Sequence, residues 1–183
     1  MNLPRKTLIA LFLALLLAPG LALATQVDVP AYGVALRFPA SLDVLTRDMR
    51  ADDPVLTLYG LSAQQAAQEL QSAGLYVKAY DIAGEYTITL ALGTDGGPDF
   101  SQMAPDALAQ EAGRAGGARH ELVQARRGSF LMVYEDSGKG LTCLYQAEGL
   151  RLRLRLQAGN GVDSAMASLL RGIAQRAEIS LGQ

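Results

Sequence analysis

From residue 119 to 157 the pattern is almost all strand, with the period-two alternation of apolar and polar positions clearest in its last run. The runs cover 119–125, 130–135, 141–147 and 150–157, separated by Arg127-Gly128, a looser 136–140 segment and Glu148-Gly149. In the last of these, Gly149 supplies the left-handed position of a two-residue hairpin turn. The sharpest stretch is Leu150-Arg-Leu-Arg-Leu-Arg-Leu156. As a strand it places Leu150, Leu152, Leu154 and Leu156 on one face and Arg151, Arg153 and Arg155 on the other, with successive arginines about 7 Å apart.

The first half of the chain mixes periods. Residues 26–29 and 34–38 predict a hairpin turned at Ala31-Tyr32-Gly33 and stopped by Pro39, and 42–46 a short strand interrupted by Asp52-Asp53-Pro54. Ser62-Ala-Gln-Gln65 is a capping box, in which the serine hydroxyl accepts an N–H and Gln65 reaches back. Ala63, Ala66, Ala67, Leu70 and Ala73 then share one helical face, and Gly74 stops the helix. Residues 75–81 and 85–92 form a second strand pair, and 102–112 a less regular helix. A closing helix starts at Asp163 and aligns Val162, Met166, Leu169, Leu170 and Ile173. Tight connections require antiparallel pairing, and amphipathic helices must bury a face on the sheet. The expected fold is therefore α+β, an antiparallel β-sheet of about six to seven strands flanked by about three helices.

Residues 1–24, MNLPRKTLIALFLALLLAPGLALA, read as a signal peptide: Arg5 and Lys6 lead an apolar stretch that ends in the Ala22-Leu23-Ala24 cleavage box. The mature chain is expected to start at Thr25 as a single domain over 25–183, secreted or periplasmic, with no stable membrane insertion after cleavage. No cysteine follows the apolar stretch to carry a lipid.

Composition narrows the function classes. Of 183 residues, 50% are hydrophobic and 19% charged, the balance of a chain with a packed core. A formal charge of −2 argues against a nucleic-acid binder. The charge is polarised: residues 25–113 carry 4 basic and 12 acidic groups, whereas 114–183 carry 10 basic and 6 acidic. One Cys excludes an intrachain disulfide, and one His beside it argues against a zinc site.

The opening Tyr32-Gly33-Val-Ala-Leu-Arg-Phe38-Pro39, the late run of hairpins and the final helix with its tail Glu178-Ile179-Ser180-Leu181 together resemble the PsbP-like superfamily. Leu42 or Val44 stands near the place of that family's tryptophan. Gly140, Tyr145 and Gly149 also resemble a Gly…Tyr…Gly hairpin of small exported clostridial proteins. The resemblance implies an α/β/α sandwich and a partner-binding, mostly non-enzymatic role; it implies no catalytic residues.

The chemistry-bearing residues are sparse. His120 is the one imidazole, and no Gly-x-Ser-x-Gly elbow accompanies it. Cys143 alternates with Leu141 and Tyr145 and reads as a small apolar residue. Asp52/Asp53 and Glu135/Asp136 are carboxylate pairs beside Pro or Gly, and Asp95-Gly96-Gly97-Pro98-Asp99 is the segment nearest to a calcium loop without matching one. Tyr76, Lys78 and Tyr80 share a strand face, either for packing or for stacking on a ligand. The strongest candidate is a partner-binding surface of Arg151, Arg153 and Arg155, joined by Arg126 and Arg127 if their strand lies alongside; a solvated outer face is the alternative. The expectation is an exported non-catalytic domain, without cofactor or metal, that binds an envelope or secreted protein or an anionic polymer. A small-ligand carrier, or a hydrolase with a carboxylate-based site, is the alternative. The oligomeric state is left open by the sequence.

Overall fold

The computed structural model describes residues 24–147 and 149–180. The expected signal peptide lies almost wholly outside them, as do Glu148 and Leu181. Among the described residues, ten strands form two sheets. β3 (Leu42–Thr46), β4 (Val77–Asp81), β5 (Tyr86–Gly93), β6 (Arg119–Gln124), β7 (Ser129–Tyr134), β8 (Gly140–Ala147) and β9 (Leu150–Ala158) make a seven-stranded sheet. Its order is β3-β4-β5-β9-β8-β7-β6, and every pair is antiparallel. The opening hairpin, β1 (Thr25–Val29) and β2 (Val34–Phe38), does not join it. It forms a three-stranded sheet with the tail strand β10 (Glu178–Ile179), in the order β1-β2-β10. Its Val27, Val29, Val34, Leu36 and Phe38 all bury into the core, so it covers the large sheet instead of extending it.

Four α-helices are described: α1 (Pro54–Leu58), α2 (Ala63–Ser72), α3 (Pro105–Arg114) and α4 (Ser164–Gln175). Each departure of the helices from the sequence expectation has a local cause. Asp52-Asp53-Pro54 does not merely interrupt: Asp53 caps α1 by accepting the Val55 N–H at 2.9 Å, and Pro54 takes the first helical position, where a missing N–H costs nothing. The helix expected over 102–112 starts later, at Pro105, after a 3-10 turn at Phe100–Gln102 that Asp99 caps. The capping box of α2 forms as read, with Ser62 and Gln65 exchanging hydrogen bonds at 2.9 and 3.2 Å.

The two faces of the large sheet are covered differently. On the first, the four β9 leucines join Ile88, Leu90, Leu141, Cys143, Tyr145, Phe130 and Met132 in one core closed by the small sheet and α4. Each buried leucine contributes about 1.5–3 kcal/mol. On the second face, α1 and α2 pack over β3 through Leu45, Leu56, Ala66 and Leu70. At the other end, α3 packs Leu108 and Ala112 on Leu131, Val133 and Leu144. Between these two clusters lie β5 and β9.

The small sheet depends on one glycine. Gly33 has φ +61°, and a methyl group there would overlap the Ser180 carbonyl, whose residue donates its N–H to the Gly33 carbonyl at 2.7 Å. Gly60 has φ +66°, and a methyl group added there would meet nothing within 4 Å, so it supplies the strain-only reference. Gly60→Ala should cost about 1–2 kcal/mol in urea unfolding, and Gly33→Ala measurably more because it also displaces β10. Equal losses would show that the tail contact contributes nothing.

Candidate functional site

The candidate site is built on β9. Because Leu152 and Leu154 must face the core, Arg151, Arg153 and Arg155 are committed to the second face. In register, Arg151 lies between Gly93 and Gln146, Arg153 between Ala91 and Leu144, and Arg155 between Thr89 and Thr142. Small residues on β5 leave room above the sheet, and the last turn of α3 with Ala115 and Gly116 makes a wall. The result is an open groove of about 500 Å³, within the range of small-molecule and peptide sites.

Four arginines of the lining face three carboxylates: Arg114, Arg151, Arg153 and Arg155 against Asp95, Glu111 and Glu135. Arg155 makes a two-pronged pair with Glu135, at 2.7 Å from Nε to Oε1 and 2.9 Å from Nη2 to Oε2, and Thr142 donates its hydroxyl to the same carboxylate at 3.2 Å. At the other end, Arg151 reaches Asp95 at 3.4 Å and Glu111 at 3.5 Å, and Arg114 pairs with the second oxygen of Glu111. The side chains of Glu111 and Glu135 are only 11% and 12% exposed, so each depends on its arginine. Arg153 is exposed and makes no hydrogen bond or ion pair among the described residues; its charge is felt at Glu135 through space. The Arg155 hydrogen bond leads the effects that hold the Glu135 pKa below the ordinary carboxylate range, and Glu135 in turn raises Arg155.

By sequence Glu135 is only a loop acid. It reaches the stripe because Gly140 has no side chain: a methyl there would collide with the Glu135 carboxyl group. Its partnership follows from register, since Tyr134 opposes Leu141 and Thr142 opposes Arg155. The β8–β9 half of that register follows from the two-residue turn expected at 148–149, whereas the β7–β8 half runs across the looser 136–140 segment.

Arg126 and Arg127 do not extend the stripe. They lie in the β6–β7 turn, and β7 and β8 separate β6 from β9. Arg126 pairs with Glu178 of the small sheet at 3.1 Å, alongside Arg37 at 3.4 Å. Arg127 borders a different concavity with Asp99, Gly128 and Tyr145.

The remaining candidates are held locally. His120 has Nδ1 2.9 Å from the Ala118 carbonyl. Cys143 is fully buried, and desolvation pushes its thiol pKa far up, the opposite of a reactive thiolate. Asp52 pairs with Arg50, Asp53 caps α1, Asp99 caps the 3-10 turn, and Asp136 accepts the Ala118 N–H. Among the described residues no three His, Cys, Asp or Glu side chains converge as metal ligands, and no helix is long and apolar enough to cross a membrane. Tyr80 stacks on Tyr59 at 4.9 Å, and Tyr76 sets its ring edge-on to Tyr32 at 5.3 Å, with Arg47 over it.

The pair at Glu135 has a pH signature. A depressed folded-state pKa gives stabilisation that is present above the unfolded value, about 4.3, and lost as pH falls through the folded value. In thermal melts, the deficit of Glu135→Gln relative to the parent should therefore hold constant from about pH 7 to 5 and shrink below about pH 4. A deficit that stays the same down to about pH 2.5 would count against the ion pair as its source.

The fold is similar to the solution structure of cyanobacterial PsbP (CyanoP) from Synechocystis sp. PCC 6803, with a TM-score of 0.52 over 89% of this chain and 96% of that one at 11% identity. No protein-family model and no curated protein matches the sequence. At this identity the likeness is one of architecture, and it shows that the chain has a PsbP-like α+β fold.

Proposed function

We propose that the mature chain is an exported, non-catalytic binding domain that holds an envelope or extracellular protein partner in the groove floored by β9. The observation that carries this reading is Arg153, a cation displayed at the centre of the groove while Arg151 and Arg155 on either side are engaged by carboxylates. A merely solvated outer face needs neither the groove nor the fixed flanking pairs. Export is supported by the n-region, apolar stretch and cleavage box over 1–24.

Arg153→Gln is the discriminating variant. Removing Arg155 as well would strand Glu135 at 12% exposure and confuse loss of binding with loss of fold. Mature 25–183 is used as bait on the producing cell's envelope and secreted fractions, and bound proteins are quantified by mass spectrometry. Recovery of a specific partner should fall about tenfold with Arg153→Gln and hold with Arg126→Gln, whose side chain lies off the groove. Equal recovery by all three baits would remove the groove from the function. N-terminal sequencing of the cell's own protein should begin at Thr25; an intact Met1 in the exported fraction would refute cleavage.

A further inference from the structure

The charges in the groove restrict what it can hold. Asp95 and Glu111 occupy the Arg151 end, and Glu135 occupies the Arg155 end. A second negative charge carried along the strand in either direction would meet a carboxylate already in place. Only the centre is open to an anion, and there Arg153 is flanked in register by Ala91 and Leu144, neither of which offers a polar side-chain atom. Ala115 and Gly116 of the wall likewise present no charge, and Arg114 beside them is already paired with Glu111. A guanidinium offers parallel N–H donors to a planar carboxylate, and its neighbours here favour contact with hydrocarbon.

We infer that the groove recognises a single carboxylate carried on an apolar body, with Arg153 as its anchor. The inference rests on the groove being the protein's binding face, and it narrows the recognised chemistry to one negative charge. A free organic acid and an acidic side chain on an apolar peptide both meet it. A polyanion does not, because its further charges fall against Asp95, Glu111 and Glu135. The bound carboxylate completes the row, giving each of the three β9 arginines an anionic partner.

The test is an amide-resolved NMR titration of mature 25–183 at constant ionic strength with sodium hexanoate, 1-hexanol, trisodium citrate, and acetyl-Leu-Glu-Leu-amide beside its Gln counterpart. Hexanoate or the Glu peptide should saturate shifts at 91–93, 142–146 and 151–155. Hexanol and the Gln peptide should not, and citrate should bind no tighter than hexanoate. Arg153→Gln should weaken the carboxylate about tenfold with its amide dispersion intact, whereas Arg126→Gln should leave it unchanged. In Glu135→Gln, which releases Arg155, citrate should gain severalfold while hexanoate changes little. Saturation by hexanoate alone assigns the site to free acids, and by the Glu peptide alone to a protein side chain. Absence of binding by both, hexanol matching hexanoate, citrate binding more tightly in the parent, or retained affinity in Arg153→Gln would each overturn the inference. If both carboxylates fail while partner capture still depends on Arg153, the carboxylate assignment falls and the binding domain stands. If hexanoate binds through Arg153 while capture ignores the substitution, the partner reading falls and the site stands.

Discussion

Strand β9 has to satisfy two environments at once, and the rest of the molecule is arranged around that requirement. It lies in the interior of the sheet, so neither face can be left to an edge. Its leucine face closes a continuous core with the small sheet and α4. Its arginine face would be costly in the same position if three guanidiniums stood in a row with no counter-charge. The carboxylates brought in from α3, from the segment after β5 and from the end of β7 offset that repulsion. The helices stop short of the row, α1 and α2 at one end of the sheet and α3 at the other. Covering β9 with a further helix would bury cations that water now hydrates.

Much of the fold was legible because strand alternation and helix caps are local. Residues 150–157 alternate so regularly that their facing needed no partner strand. The serine and glutamine at 62 and 65 marked a helix start through three residues. α1 was not legible because five residues, Pro54–Leu58, are too few to display a helical period, and the Asp-Pro that begins it is equally the signature of a turn. The separate small sheet was not legible either. It is closed by β10, a strand of two residues whose partner β2 lies about 140 positions earlier, and no local pattern reports such a pairing.

The site was half legible for the same reason. Alternation placed Arg151, Arg153 and Arg155 on one side, but it carries no information on strand order. Whether Arg126 and Arg127 join the row was therefore open, and two strands intervene. Nor does alternation distinguish the three β9 arginines from one another. Their difference arises from carboxylates at 95, 111 and 135, which converge only when β5, α3 and β7 are in place. The PsbP-like architecture supplies a sheet covered on both sides; the groove comes from where this chain's helices end.

Gly140 has a consequence beyond the hairpin it occupies. By leaving space for Glu135, a residue with no side chain sets how much positive potential the neighbouring strand displays. The charge displayed in the groove is thus adjustable from a position outside its lining. A lineage could retune the groove through the β7–β8 turn alone, keeping the leucine–arginine strand, and with it the core, unaltered.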